Sequence, residues 1–262
     1  MANECIHGFE VGLCDSCYPR QTAEQAKALA TTARRAASGV PKRVAGAKGS
    51  SHAAPAATSV TLATQRIFHV THISNLEQIV AEGMIRADAT PAVDVSSALT
   101  RELRSATPLA GGAPVSAHVP FYLSPNASRW DELRSGAVGA HWSDAARAAK
   151  PAEFVVLATA ADAIGVDVIV ADGDATSHET RFAYGEPAAM PFLRRVRGDD
   201  PDFLEPEVLG PSVVAFDVIA TIGVANERVR DQVKVILAGH VNDMNGAAPK
   251  VAVYPPWFVP TE

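Results

Sequence analysis

The chain has 262 residues, 47% of them hydrophobic and 20% charged, with a formal net charge of −6. That is enough for one large domain plus a small appendage, and the balance is that of a globular rather than a disordered chain. The acidic total argues against a protein built to coat nucleic acid, and no apolar run approaches the roughly 18 residues a membrane span needs.

The N-terminus carries Glu4, Cys5 and His7 where a secretory signal would place basic residues and then an apolar stretch, so a cytoplasmic location is expected. All 3 cysteines, Cys5, Cys14 and Cys17, lie in this head beside His7. The pattern C-x-H-x6-C-x2-C supplies the soft and borderline ligands that Zn2+ takes in a tetrahedron. A segment this short cannot bury enough apolar surface to fold alone, so metal would stabilise it. An odd number of cysteines cannot form a complete disulfide set, which also favours metal over bridges. A disordered head with spare thiols is the alternative. With every zinc position filled by protein, the role would be structural or tethering.

Residues 21–64 read as a helix and linker. Thr22 to Ala37 has high alanine helix propensity, and the text from Ser38 on has no apolar period of either kind. Basic residues outnumber acids up to Arg66, so the front segment is a candidate tether for phosphate backbones or simply a solvated linker. The expected division is a head at 1–20, the linker at 21–64, and the main domain at 65–262.

The main domain opens with "RIFHVTHI", a β-branched and aromatic strand. Ser74, three residues before Glu77, gives a capping-box start to a helix that ends at Gly83. "HVPFYLS", "EFVVLAT", "VDVIVAD" and "FDVIATIGV" read as further strands, with a short Ala-rich helical turn after "EFVVLAT". Asn226 caps a helix with Val229, Val233, Ile236 and Leu237 on one face, and "KVAVYP" adds an edge strand. Strands and helices mix without a βαβ repeat, so the expected class is α+β.

Four blocks carry a resemblance, in the same order as in a known family. "FHVTHISNLEQIVAEGMI" resembles the opening of DarT-family DNA ADP-ribosyltransferases, where an aromatic-His-x-Thr-His strand leads into an Asn-Leu helix. "VPFYLSP" is similar to that family's VPFYF-A-P segment, "VIVADGDA" to its Asp-Gly-x-Ala turn, and "EPEVLGPSVVAFDVIATIGV" to its Ala-Glu-aliphatic-Leu-Val motif and the strand after it. The resemblance spans roughly residues 66 to 240 and implies an ADP-ribosyltransferase-like fold of split mixed β-sheets with flanking helices. It implies NAD+ as substrate, a nucleobase of single-stranded DNA as acceptor, and a toxin paired with a macrodomain antitoxin.

It also implies roles. His69, Thr71 and Asn75 would seat NAD+ around the nicotinamide and its ribose, and Glu207 would be the catalytic glutamate. Counting back from Val119 places the family's arginine at Arg104, with Arg101 as the alternate on the NAD+ side. Taken alone, His69 reads equally as a buried hydrogen-bonded histidine, Glu207 as a solvated loop acid, and Phe121 and Tyr122 as core. Asp172 could mark a metal-binding turn, but only Asp174 accompanies it closely.

Two departures stand out. Pro206 replaces the usual Ala and would push the catalytic strand to begin later or lie at an edge, and Gly210 replaces Val. "MPFLRRVRGDDPDFLE" corresponds to the acceptor-facing loop, where Arg194, Arg195 and Arg197 would meet phosphates and Phe203 would stack on a base. RNA or protein acceptors with the same fold, and a catalytically silent zinc and nucleic-acid-binding protein, are the alternatives.

Overall fold

Arg66–His72 forms β1 and pairs along its whole length, antiparallel, with β4 (Phe154–Ala160). β4 is buried from Phe154 through Thr159, the continuous apolar run of a strand covered on both faces. The computed structural model that shows this describes residues 61–165, 168–197, 206–240 and 248–260, without the side chains of 195–197. Cys5, His7, Cys14 and Cys17, the Thr22–Ala37 segment and Phe203 lie outside the described residues.

Beyond β4 come β9 (Thr221–Val224) and the edge strand β10 (Lys250–Val253), which runs parallel to β9. On the other side of β1 lie β3 (Pro120–Tyr122), β7 (Glu207–Leu209), β5 (Ile169–Ala171) and β6 (Phe182–Tyr184). These strands form a single 8-stranded mixed sheet, and β2 (Met84–Arg86) pairs with β8 (Val213–Ala215) in a separate ribbon. The expected split is thus corrected to one sheet with a narrow seam. β1 and β3 share the single register pair Phe68↔Tyr122, and past it the His69 ring, rather than a ladder bond, reaches Pro120.

α1 (Ile73–Glu82) and α6 (Glu227–Gly239) bury Leu76, Val80, Val229, Val233 and Leu237 in one core with Ile67, Val155, Leu157 and Ile222. Asn226 caps α6 as read from the sequence, its side chain accepting from Val229 N. The alternate residues of the strands meet an aromatic cluster instead. Phe68 packs edge-on to Trp257, and Trp130 of α3 (Ser128–Arg134) packs against Phe154 and Phe258. Leu62 is buried in the main core, and Ala63 O accepts from Asp162 N.

Three expectations need correction. The α1 N-cap is His72, whose imidazole accepts from Ser74 N at 3.2 Å, because β1 turns into the helix with no connecting residue. "FDVIATIGV" is not one strand. Phe216–Val218 makes a 3-10 turn with Phe216 buried, and Thr159 Oγ1 donates to Val218 O at 2.6 Å before β9 begins. The segment expected to be an acceptor-facing loop begins as helix: after α4 (Asp144–Ala148), α5 (Glu186–Arg197) continues through Pro191, with Ala189 and Leu193 buried one turn apart. Among the described residues no helix is long and apolar enough to cross a membrane.

Candidate active site

Glu207 is the first residue of β7, and Pro206 immediately before it needs no ladder partner. The strand therefore does begin just after the proline, but it lies inside the sheet, between β3 and β5, rather than at an edge. Its register sets Glu207 opposite Tyr122. Gly210 ends this segment close to its neighbours: a Cβ there would stand 3.2 Å from the Phe121 ring and 3.1 Å from Ile164, so the usual Val would need both side chains to give by a few tenths of an ångström.

Glu207 is 5% exposed. Its carboxylate accepts from Arg104 Nη1 at 2.9 Å and, on the other oxygen, faces Ala175 N–H at 3.5 Å. Arg104 comes from α2 (Ala98–Ala106), a helix with no buried residue that Ser97 caps through Thr100 N. Burial alone would lower the Arg104 guanidinium; the Glu207 carboxylate outweighs it and holds the group above its ordinary range. Its Nη2 is buried with no hydrogen-bond partner among the described residues.

On β1, His69 Nδ1–H donates to Pro120 O at 2.8 Å, since a carbonyl can only accept. That fixes the tautomer and leaves Nε2 as an acceptor. Burial pushes the ring below its ordinary range, with the Pro120 bond opposing it, so His69 is neutral at neutral pH. Asn75, on the first turns of α1, donates to Thr71 Oγ1 at 3.1 Å and to Val93 O at 2.8 Å, and accepts from Val93 N. Asn75 thus pins the 93–95 segment over the cleft. Arg101 pairs with Asp94 and donates to Ser96 O, a half-exposed position at the rim.

His69, Thr71, Asn75, Arg101, Arg104 and Glu207 all line one cleft of about 380 Å3 at the β1/β3 seam. Tyr122, Arg129 and Asp174 line it as well and were not assigned to it from the sequence. Tyr122 had a usable signal, since strand alternation sets it apart from the fully buried Phe121. Burial, and then the Glu207 charge, push its phenol well above the ordinary range and keep it protonated. The Asp172–Asp174 turn is not a metal turn. Asp172 accepts from Arg181 N and Nε at 2.7 Å, Asp174 pairs with Arg129, and among the described residues no cluster of three or more potential ligands exists.

Residues 68–259 match the family described as ssDNA thymidine ADP-ribosyltransferase, DarT. The chain belongs to the DarT family. The fold is that of solved DarT structures at low identity. Thermus sp. 2.9 DarT in complex with ADP-ribosylated ssDNA is 21% identical with a TM-score of 0.63, over 74% of this chain and 96% of that one. The same Thermus protein in complex with NAD+ is 21% identical with a TM-score of 0.60, over 74% and 98%. Thermosipho africanus DarTG in complex with ADP-ribose is 17% identical with a TM-score of 0.56, and this chain spans 51% of its length. No curated protein matches the chain. The DarT match covers all the cleft residues but the first 67 of the chain not at all.

Proposed function

We propose that this DarT-family chain cleaves NAD+ and transfers its ADP-ribose to a thymine base of single-stranded DNA. The observation that carries this reading is the buried Arg104–Glu207 pair, which meets His69, Thr71 and Asn75, distant in the chain, in one cleft. In the reaction the bond from the ribose anomeric carbon to the nicotinamide nitrogen breaks. Nicotinamide leaves neutral with the electron pair, and the ribose carbon turns cationic.

Glu207 meets that cation: a carboxylate already oriented by Arg104 and the Ala175 N–H stabilises it without reorganising. His69 Nε2 and the Thr71–Asn75 pair hold the nicotinamide end. A thymine ring nitrogen then bonds to the anomeric carbon and its proton passes to solvent water; N3 is the ring nitrogen left with one when N1 bears the sugar. Arg104 stays charged and so takes no proton; its unpartnered Nη2 donates to an oxygen of the acceptor or of NAD+, favouring loss of the N3 proton in the first case.

Arg194, exposed on α5, is proposed to meet acceptor phosphates, with Arg195, Arg197 and Phe203 beside it in sequence. The Cys5, His7, Cys14 and Cys17 head is proposed to hold one structural Zn2+, for which atomic spectroscopy of the full chain should find about one equivalent. A paired macrodomain antitoxin that removes the modification follows from the resemblance.

The test is incubation with NAD+ and single-stranded oligonucleotides with and without thymine, matching RNA, and protein, read by mass spectrometry. The ADP-ribose mass is expected on thymine-containing DNA only, with Glu207→Gln slower by about 100-fold or more, as for loss of a group aimed at transition-state charge. Label on RNA or protein alone would move the acceptor class. No NAD+ consumption would remove the transferase reading, and equal rates for the mutant would remove Glu207 from the mechanism.

A further inference from the structure

The turn after β5 is held far more firmly than a loop beside a cleft requires. Asp172 closes its base against Arg181. Asp174 holds its tip: Oδ1 accepts from Thr176 N and Thr176 Oγ1, each at 2.8 Å, while Oδ2 pairs with Arg129. The Asp174 carbonyl accepts from Ser177 N at 2.9 Å and from Thr180 Oγ1 at 2.6 Å. The next residue is Ala175, fully buried, whose N–H faces Glu207.

Arg129 stands on the first turn of α3 and makes a second ion pair with Glu132 at 3.2 Å, so the helix and the turn share one cation. A second arginine–carboxylate pair, 16% and 12% exposed, therefore lies in the same cleft wall as Arg104–Glu207. Asp174 is not a spare base. Both its carboxylate oxygens are occupied, and although burial pushes the group up, the bonds from Thr176 and Arg129 outweigh it and keep it ionised.

We infer that Arg129 and Asp174 are positioning residues for the transfer: together they aim the Ala175 N–H at Glu207 and so set the orientation of the catalytic carboxylate. The inference rests on the function proposed above. Glu207 Oε2 is fixed by Arg104, which by itself leaves the carboxylate free to rotate about that bond; a donor on Oε1 removes the freedom. At 3.5 Å this donor is at the long limit of a hydrogen bond, so a displacement of the turn by a few tenths of an ångström releases it. Misplacement on that scale is costly to catalysis even when binding is unchanged.

The test uses the full chain with Asp174→Asn, Arg129→Lys and, as a control, Glu132→Gln, which removes a different ion pair of Arg129. Steady-state rates on a thymine-containing oligonucleotide are combined with calorimetric binding of the non-reacting analogue carba-NAD+ and with thermal melting. Asp174→Asn is expected to lower kcat about 10-fold or more, with KM for NAD+ and carba-NAD+ affinity within about threefold. Arg129→Lys keeps a cation on Asp174 and should recover part of that loss; Glu132→Gln should match the wild type.

A further cycle in a Glu207→Asp background separates action through Glu207 from an independent contact: Asp174→Asn should add little there. Unchanged kcat in a folded Asp174→Asn protein, a loss expressed in KM alone, or losses that multiply in the cycle would overturn the inference. If Asp174→Asn does not fold, Arg129→Lys carries the test, with reduced kcat at wild-type carba-NAD+ affinity supporting and wild-type kcat overturning. A wild type that never labels DNA would instead sink the proposed function.

Discussion

Replacing Arg104 with Met keeps most of the side chain's length and removes the cation that faces Glu207. The two side chains are 15% and 6% exposed and meet at 2.9 Å. With charge centres about 4 Å apart and an effective dielectric near 20, the attraction is about 4 kcal/mol. Breaking a buried pair from one side costs about 3–5 kcal/mol, because the remaining charge stays desolvated. At roughly 2–4 °C per kcal/mol for a domain of this size, the variant should melt about 10 °C below the wild type. Arg104→Lys is the informative companion. Only Nη1 engages Glu207, so an ammonium can keep the pair, and melting should return to within about 3 °C of the wild type.

Nη2, buried and unpartnered, has no equivalent on lysine. Transfer by Arg104→Lys should therefore stay about 10-fold or more below wild type although the fold is restored, as for a lost charge-assisted bond. Scanning calorimetry and the oligonucleotide assay read the two effects separately. A Met variant that melts with the wild type would refute the energetics of the pair. A Lys variant with full activity would refute the role of the second guanidinium nitrogen.

Stability should fall with acid in two stages, read as the melting midpoint against pH. His69 is held below its ordinary 6.5, so the unfolded chain binds a proton that the folded one refuses, and stability drops as pH falls below about 6.5. Asp174 is held below its ordinary 3.8, so its contribution persists above that value and is lost as pH falls through the folded one. His69→Gln should shrink the first stage and leave the second, the remainder of the first coming from His72, which burial also holds below its ordinary value. Gly223→Ala places a Cβ 2.5 Å from the ring of Trp257, itself packed against Phe68 and Tyr254, and should destabilise by about 1–3 kcal/mol in denaturant titration; an unchanged midpoint would refute the clash.

The elements read well from the sequence were those whose stabilisation is local or repetitive. β4 carries an unbroken apolar and β-branched run, β1 is rich in β-branched and aromatic residues, and α6 combines an Asn cap with apolar residues at helical spacing. The misreadings come from tertiary contacts. α5 buries only Ala189 and Leu193 among its side chains with assigned burial, and Pro191 with the arginines masks that stripe. The 3-10 turn at Phe216–Val218 follows from the Thr159 bond to Val218 O, a partner 59 residues away. Four of the six residues gathered into the cleft, His69, Thr71, Asn75 and Glu207, were legible because family motifs mark them, while Arg104 and Arg101 were placed only by counting back from Val119. Arg129 and Asp174 were not legible, since an ion pair 45 residues apart leaves no spacing to read.

The position of β7 has a consequence for synthesis. It follows β3 and β5 in the chain yet takes the slot between them. A nascent polypeptide that has emerged only through β6 already holds the imidazole, the Thr71–Asn75 clasp and the α2 arginine, but not Glu207, the carboxylate proposed to meet the ribose cation. Because neighbouring strand residues face opposite ways, insertion one residue out of step would also turn that carboxylate away from Tyr122. On the role proposed for Glu207, a truncated or misthreaded product is thereby chemically silent, and the power to consume NAD+ arrives only when β7 takes its place between β3 and β5.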